Sequence, residues 1–296
     1  MTVTEFIDQH FFHFNARELR ASAVAYRDFV NQQDGAMMVS LAGAMSTGEL
    51  GRSLAQMIRQ GKVHAISCTA ANLEEDLFNL VAHNDYEIIE DWRALSVGDE
   101  VELRDRGLNR VTDTCIPETV MRHLESRLME RWKSAAESGQ ARMPADFMFD
   151  LLDDATLVPH YQIPREHSWV AAAKDAGIPV FVPGFEDSTL GNIFAARVFD
   201  GSIPNHRAIA SGTEQMERLI GWYRDTSKRS PIGFFQIGGG IAGDFSICVV
   251  PTMIQDLKMD IPLWGYFCQI SDAVTSYGGY SGAVPNEKIT WAKLAP

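Results

Sequence analysis

Short apolar runs alternate with helical patterns in both halves of the chain, and this alternation constrains the fold more than any other feature. The apolar runs occupy 36–42, 63–68, 178–182, 232–237 and 262–270. The helical patterns occupy 16–32, 49–60, 72–83, 188–198, 211–224 and 244–250. Strands that are connected through helices lie parallel and are joined by right-handed crossovers. The sequence therefore predicts a Rossmann-like, doubly wound α/β fold, with a mostly parallel sheet of at least five strands and helices on both faces.

Residues 85–165 are more polar and less regular than the segments on either side. Within them, 118–137 is predicted to be a surface helix that carries many charges, and 144–164 a connecting segment. No linker is long or polar enough to separate two independent domains. We therefore expect residues 1–296 to form a single α/β domain.

The chain is acidic, with 26 Lys and Arg against 39 Asp and Glu, which gives a formal net charge of −13. An acidic surface repels phosphate backbones, so nucleic acid is not expected as a partner. It favours cationic partners such as amines, polyamines or a basic protein. An acidic balance also serves solubility alone, so charge by itself does not choose a partner.

The four cysteines, Cys68, Cys115, Cys248 and Cys268, are scattered and form no C-x-x-C pair. In a chain of this length they are typical of buried thiols in a reducing compartment. The first residues have no basic region of the kind that begins a signal peptide. No apolar stretch approaches the roughly 18 residues that a membrane span needs. We therefore expect a cytoplasmic protein with no membrane contact.

A glycine turn at 238–243 reads GGGIAG, follows a predicted strand and opens a predicted helix. This pattern fits G-x-G-x-x-G, in which missing side chains let a dinucleotide pyrophosphate approach the backbone at a helix N-terminus. Neither Asp256 nor Asp272 stands cleanly at the spacing expected for the acid that binds the ribose. A nucleotide-binding turn and a purely structural tight turn both remain open at this point.

Two other strand ends carry polar groups. Residues 68–76 combine small side chains with three carboxylates, and 185–192 combine carboxylates with serine and threonine. The carboxyl ends of strands are where α/β sheets bind ligands. The same residues also suit helix capping, by Asn72 in the first segment and by Asp187 or Ser188 in the second.

The last segment, 277–293, is a glycine-rich loop that leads to Trp291 and Lys293. A lysine that is partly buried beside an indole loses its charge more easily, and its neutral amine is a nucleophile toward carbonyls and imines. A surface lysine is the alternative interpretation. The histidines show no ligand spacing, so no metal is expected. No G-x-S-x-G motif is present, which argues against a serine hydrolase.

Together these segments resemble the deoxyhypusine synthases. The resemblance covers roughly residues 14–125 and 165–296, with its motifs in the family's order. It is carried by residues 69–76, 103–110 with Pro117, 178–191, 238–240 and 281–293.

The resemblance implies NAD-dependent transfer of an aminobutyl group from spermidine. A hydride leaves the carbon beside the secondary amine, an enzyme lysine attacks the resulting imine, and diaminopropane is released. A lysine of a translation factor then takes the group, and the product is reduced. The family is usually a homotetramer with active sites between paired subunits. A related activity, homospermidine synthesis, uses putrescine, a small diamine, as the acceptor.

The resemblance also assigns roles to residues of this chain. Lys293 occupies the place of the imine-forming lysine, Trp291 would pack against the polyamine chain, and Glu287 would bind an ammonium end. The residues expected to line the NAD site are Thr69, Ala70, Glu75, Asp187, Gly239, Gly240 and Ser281.

Several positions depart from the family pattern at the amine end of the site. Asn192 replaces an aspartate that holds the amine, Asp244 replaces a histidine that touches the substrate, and Cys248 replaces an asparagine. Tyr277 and Gly279 replace polar residues in the glycine-rich loop. The NAD and lysine positions are kept while the substrate positions, Asn192 and Asp244, are changed. The donor and acceptor are therefore open within the predicted aminoalkyl transferase activity.

Three alternatives accompany this prediction. The first is homospermidine synthase chemistry with putrescine as acceptor. The second is a catalytically silent protein that binds polyamines or nucleotides, and the third is an ordinary dehydrogenase. The family also continues beyond its lysine segment with a further strand and helix, so we expect residues 1–296 to lack that strand and helix.

Overall fold

A computed structural model describes all 296 residues and contains eight strands. They are β1 (Ala36–Leu41), β2 (Ala65–Cys68), β3 (Glu87–Ile88), β4 (Leu108–Val111), β5 (Thr114–Pro117), β6 (Val180–Phe181), β7 (Ile232–Ile237) and β8 (Tyr266–Ile270). Five of them form one sheet in the order β6-β2-β1-β7-β8, and every pair in it is parallel. The predicted parallel α/β architecture is confirmed.

Thirteen helices accompany the strands. They are α1 (Val3–His10), α2 (Phe14–Gln32), α3 (Leu50–Arg59), α4 (Ala70–Ala82), α5 (Val97–Asp105), α6 (Glu118–Ser138), α7 (Pro144–Leu152), α8 (Trp169–Ala176), α9 (Thr189–Phe199), α10 (Gly212–Ser227), α11 (Gly240–Ile247), α12 (Val249–Pro251) and α13 (Pro285–Thr290). A π-helical turn at Thr252–Asp256 follows α12. No helix is both long enough and apolar enough to cross a membrane.

The sheet is covered on both faces, which explains why its strands are continuous apolar runs. Successive side chains of a strand point to opposite faces. In β1, Met37 and Val39 belong to one buried cluster, while Ala36 and Met38 belong to a second. A strand that is buried on both faces needs apolar residues at every position, because neither face meets water.

The carboxyl ends of four strands are aligned along one edge of the sheet. Leu41 pairs with Cys68 on one side and with Ile237 on the other, and Ile237 pairs with Ile270. The chain adds β2 and β6 on one side of β1 and then crosses to add β7 and β8 on the other. Parallel sheets bind ligands where the strand order reverses in this way. We therefore expect a binding site where β1 and β7 end.

The middle of the chain is more regular than the sequence predicts. Strands β3, β5 and β4 form a separate antiparallel sheet. Helix α7 lies in the segment expected to be a connection, with Pro144 at its start and Phe147 and Leu151 fully buried. The expectation of a connecting segment is wrong for these residues. Their apolar side chains recur at helical spacing, and proline suits a first helical turn.

Helix α6 is also less exposed than predicted. Leu124, Leu128 and Trp132 recur every four residues along it, and all three are fully buried. Residues four apart lie on one face of a helix, so α6 packs one apolar stripe against the core and leaves its charges on the other face. The predicted surface helix thus has its charged outer face, and its buried stripe is what the prediction did not include.

Element boundaries shift by a few residues near the sheet edge. Helix α4 begins at Ala70 rather than at 72, because the Thr69 hydroxyl accepts a hydrogen bond from the Asn72 amide at 3.3 Å and is the N-cap. Helix α11 begins at Gly240, directly after the glycine turn. All four cysteines are free, with Cys68 and Cys115 buried and the other two half-buried.

Candidate active site

The amino group of Lys293 is buried beside a carboxylate. Lys293 is only 7% exposed, and its Nζ donates a hydrogen bond to Asp244 Oδ1 at 2.9 Å. Asp244 comes from α11, while Lys293 follows α13. The tail that carries the lysine is held by a bridge between Leu294 and Trp264, and both of these side chains are buried. The lysine is therefore fixed in place and removed from bulk water.

Lys293 lines a cavity of about 400 Å³, which we call the lysine cavity. Its lining residues are Asp244, Cys248, Gly278, Gly279, Tyr280, Ala283, Glu287, Lys288, Trp291 and Lys293. Four of the predicted site residues thus meet here, namely the lysine, the tryptophan, the glutamate and Asp244. The Trp291 ring centre lies 5.7 Å from Lys293 Nζ, and the residue is 66% exposed.

Tyr280 is a member of the lysine cavity that sequence reasoning missed. Its ring centre lies 5.4 Å from Lys293 Nζ, and its hydroxyl donates a hydrogen bond to Gln236 Oε1 at 2.6 Å. Burial and the charges of Asp244 and Cys248 raise the pKa of the phenol, so the ring stays neutral. A neutral aromatic face attracts cations. In the sequence, Tyr280 is marked only as an aromatic residue inside a glycine-rich loop.

Asn192 lies in a different cavity of the chain. This second cavity, of about 420 Å³, is lined by residues of α4, α6, α9 and the β4–β5 hairpin, including Glu75 and Asn192. The Asn192 side-chain amide donates hydrogen bonds to Ser188 O at 2.5 Å and to Glu186 O at 3.0 Å. Its N–H donors are therefore used by backbone carbonyls at the start of α9. Within one chain, Asn192 and Lys293 therefore lie in separate cavities.

The three acids of α4 are all buried, and two of them cap other helices. Glu74 accepts hydrogen bonds from the Thr189 and Leu190 amides at 2.9 and 2.7 Å. Asp76 accepts from the Trp169 and Val170 amides at 3.2 and 3.1 Å. Burial raises the pKa of Glu74 to about 7 and that of Asp76 to about 6, against the lowering effect of these bonds. These two acids hold α9 and α8 in place.

Glu75 accepts the fewest hydrogen bonds of the three acids. Its carboxylate accepts a hydrogen bond from the Thr47 amide at 3.3 Å, in the loop after β1. Burial raises the pKa of Glu75 to about 6. A carboxylate has about four acceptor positions, so this side chain can bind a further donor.

The edge of the sheet where β1 and β7 end, the crevice expected where the strand order reverses, carries two glycines with free space over them. Gly43 and Gly240 stand at its two sides with φ of +64° and +61°, and nothing lies within 4 Å of the place where either Cβ would be. The Thr69 hydroxyl donates to Gly43 O at 2.6 Å, and the Gly240 amide donates to Ser281 Oγ at 3.0 Å. Open space over backbone amides at the start of a helix suits the pyrophosphate of a dinucleotide.

The remaining predicted cofactor residues lie around this sheet edge. Ala70 opens α4 directly after Thr69. Gly239 admits no side chain, because a Cβ there would come within 2.0 Å of Ser281 Oγ. Asp187 is exposed in the turn between β6 and α9, and Gly184 of that turn faces Ile241 beside the glycine turn. No group of three or more His, Cys, Asp or Glu side chains is arranged to hold a metal ion.

A family model and several known proteins match this chain. A family model described as deoxyhypusine synthase matches residues 8–296. A deoxyhypusine synthase-like protein of Cyanothece sp. is 28% identical over 314 residues, covering 100% of this chain and 73% of that protein. The "Probable deoxyhypusine synthase 2" of Methanosarcina mazei is 23% identical over 283 residues, covering 95% of this chain and 76% of that protein.

One solved structure extends the comparison to the fold. The crystal structure of an Entamoeba histolytica protein assigned as a deoxyhypusine synthase superposes with a TM-score of 0.54 at 13% identity. The match covers 81% of this chain and 79% of that one. At this identity the similarity concerns the fold alone.

Proposed function

The chain belongs to the deoxyhypusine synthase family, and from that premise we propose that it is an NAD-dependent aminoalkyl transferase in which Lys293 carries the transferred group as an imine. The observation that supports this most directly is the burial of the Lys293 amine in a cavity, hydrogen-bonded to Asp244 at 2.9 Å. A buried lysine with a base beside it has the two features that an amine nucleophile needs.

The crevice between β1 and β7 is the proposed NAD site. The residues proposed to hold the cofactor are Thr69, Ala70, Glu75, Asp187, Gly239, Gly240 and Ser281. When bound, NAD would supply the hydride acceptor for oxidation of the donor amine and the hydride for reduction of the product. The open backbone at Gly43 and Gly240 supports this placement, because a dinucleotide must approach main-chain amides closely.

Asp244 is proposed to move the proton that the transfer step requires. A protonated Lys293 cannot attack, so its Nζ first gives a proton to the Asp244 carboxylate, to which it is already hydrogen-bonded. The neutral Nζ then forms a bond to the carbon of the donor imine. The leaving nitrogen takes the proton from Asp244 and one proton from Nζ, and the bond from that carbon to the leaving amine then breaks. This leaves the aminoalkyl group on Lys293 as an imine and conserves protons and electrons.

The other residues of the lysine cavity are proposed to orient the substrate. The faces of Tyr280 and Trp291 lie 5.4 and 5.7 Å from Lys293 Nζ and attract a cationic or alkyl chain. Glu287 is exposed at the mouth of the cavity, where its carboxylate can bind an ammonium group. The substrate proposed here is a spermidine-like amine, and the acceptor is a second amine, as in the family's translation-factor lysine or a small diamine.

We further propose that the active site is completed between subunits of a homotetramer. Two observations support this. Trp291 is 66% exposed although it borders the reacting lysine, and Asn192 and Glu75 lie in a cavity separate from Lys293. A neighbouring subunit that covers Trp291 would exclude water from the active site. A cytoplasmic location is part of the proposal, since four free cysteines are typical of a reducing compartment.

The proposal is tested by mixing the purified protein with NAD and spermidine. Reduced nicotinamide fluorescence and the released diaminopropane are followed together. We expect both signals in the wild type and neither in Lys293→Ala, while Lys133→Ala, on the exposed side of α6, behaves as the wild type. NAD binding without either signal would contradict the proposal and favour a silent binding protein.

A further inference from the structure

A second buried lysine lines the lysine cavity. Lys288, on α13, is only 2% exposed, and its Nζ donates one hydrogen bond, to Ala283 O at 2.5 Å. An ammonium group carries three N–H donors. Two donors of this buried amine therefore have no protein acceptor, although buried polar groups are normally satisfied.

Lys288 and Lys293 both lie near the ring of Tyr280. Their Nζ atoms lie 5.2 and 5.4 Å from the centre of the Tyr280 ring, and Lys288 also lies 5.1 Å from the Phe267 ring. Burial and the neighbouring charge of Lys293 lower the pKa of Lys288. A further cation beside these two amines would add a third like charge to the same space.

The charges of the lysine cavity are only partly paired. Asp244 forms its ion pair with Lys293, while the one hydrogen bond of Lys288 goes to a neutral carbonyl. Glu287, at the mouth, accepts only a long contact of 3.5 Å from the Ser276 hydroxyl. The cavity thus presents an unpaired cation in its buried wall and an unpaired carboxylate at its mouth. An acceptor that carries one amine and one acid complements both, whereas a small diamine complements only the mouth.

We propose that Lys288 is a specificity-determining residue that binds a carboxylate, so that the acceptor amine taken by the lysine cavity is an aminocarboxylate rather than a small diamine. The acid group binds the free donors of Lys288, and the ammonium group binds Glu287. This assignment deepens the function proposed above and rests on it for the reaction at Lys293.

The test uses two probes that match in chain length and differ at one end. They are 4-aminobutyrate and 1,4-diaminobutane, each titrated by calorimetry into the full chain in the presence of NAD. We expect 4-aminobutyrate to bind at least about tenfold more tightly, because its acid meets Lys288 where the diamine brings a second ammonium. Equal binding, tighter binding of the diamine, or no binding of either probe would overturn the proposal.

Two variants distinguish the effect of the Lys288 charge from the effect of its packing. Lys288→Met keeps the length and apolar contacts and should abolish the preference, while Lys288→Arg keeps the charge and should preserve it. Lys133→Met, at an exposed position of α6, is the matched control and should change nothing. Thermal unfolding of each variant shows whether it is folded. If Lys288→Met does not fold, the wild-type preference and its retention in Lys288→Arg still decide the question.

Failure of this proposal can be told apart from failure of the proposed function. A preference for 4-aminobutyrate without any imine at Lys293 would support the role of Lys288 and contradict aminoalkyl transfer. An imine at Lys293 in a protein that binds 4-aminobutyrate no more tightly than 1,4-diaminobutane would support transfer and overturn the role of Lys288.

Discussion

Lys293 Nζ and Asp244 Oδ1 are joined by a hydrogen bond of 2.9 Å. The bond connects the tail after α13 to the helix that the glycine turn opens. It therefore links the proposed nucleophile to the proposed cofactor crevice through one short helix. A carboxylate at this place can accept the proton of the lysine, and it also balances the charge of the lysine while no substrate is bound.

Replacing Asp244 by asparagine should slow transfer far more than it weakens binding. The amide keeps the size of the side chain but cannot accept a proton, and general base catalysis is typically worth about 10²–10⁴-fold. We expect kcat to fall by at least about 10²-fold with KM changed less than about threefold. Steady-state kinetics measure both. Asp260→Asn, at an exposed site, is the control, and an unchanged kcat in Asp244→Asn would exclude Asp244 as the base.

The ring of Tyr280 should matter more than its hydroxyl. Tyr280→Phe keeps the aromatic face 5.4 Å from Lys293 Nζ, whereas Tyr280→Leu removes it. A cation over an aromatic face is worth about 0.5–2 kcal/mol, so KM for the amine should rise about 2–30-fold in Tyr280→Leu. Tyr280→Phe should stay near the wild type. Equal KM values in the two variants would show that the ring does not contact the substrate.

Gly239→Ala should weaken NAD binding through the contact with Ser281. A Cβ at this position would come within 2.0 Å of Ser281 Oγ, so the glycine turn and the C-terminal loop would have to separate. Overpacking of this kind typically costs about 1–3 kcal/mol. We expect NAD affinity, measured by calorimetry, to fall at least about fivefold. Gly212→Ala, where a Cβ meets nothing within 4 Å, should have no effect. Retained affinity in Gly239→Ala would place the cofactor elsewhere.

The stability contribution of Glu74 should depend on pH. Burial raises the pKa of Glu74 from 4.5 to about 7 in the folded protein. Between these two values the folded state binds more protons at this site than the unfolded state, so the site's contribution to the free energy of unfolding falls as pH rises. Relative to Glu74→Gln, which cannot titrate, the wild type should therefore lose stability from pH 5 to pH 8, by about 1–3 kcal/mol.

Urea unfolding of both proteins across this range measures the difference. Glu217→Gln, whose carboxylate is exposed, should show no such slope against the wild type. A stability difference between the wild type and Glu74→Gln that stays constant with pH, or that grows in favour of the wild type, would contradict the assignment.

The strands of the sheet could be predicted because each strand is marked by its own residues. In β1 every side chain is buried, so the strand appears in the sequence as an uninterrupted apolar run. The order of the strands in the sheet, and with it the position of β1 beside β7, was not predicted, because the alternation along the chain does not show which strands pair. Helix α7 was missed because its two ends, near Pro144 and Asp153, resemble those of a loop. Its buried face becomes visible only once the core around Phe147 is assembled.

The site was predictable only in part, because its contacts join distant residues. Lys293 and Asp244 are 49 positions apart, and no spacing rule connects them. Lys288 differs from a surface lysine only in being buried. Because α13 has only six residues, its sequence pattern does not show which of its side chains are buried. The capping of α9 by Glu74 likewise spans 115 positions, so the acids of α4 could not be divided by role from their spacing alone.

The imine that Lys293 is proposed to form with an oxidised amine can be trapped chemically. The protein is incubated with NAD and spermidine, reduced with borohydride, digested and analysed by mass spectrometry. We expect an aminobutyl group attached to Lys293 and to no other lysine, and no adduct in Lys293→Arg. An adduct on Lys288 or on an exposed lysine, or a fully unmodified Lys293 in a protein that binds NAD, would contradict it.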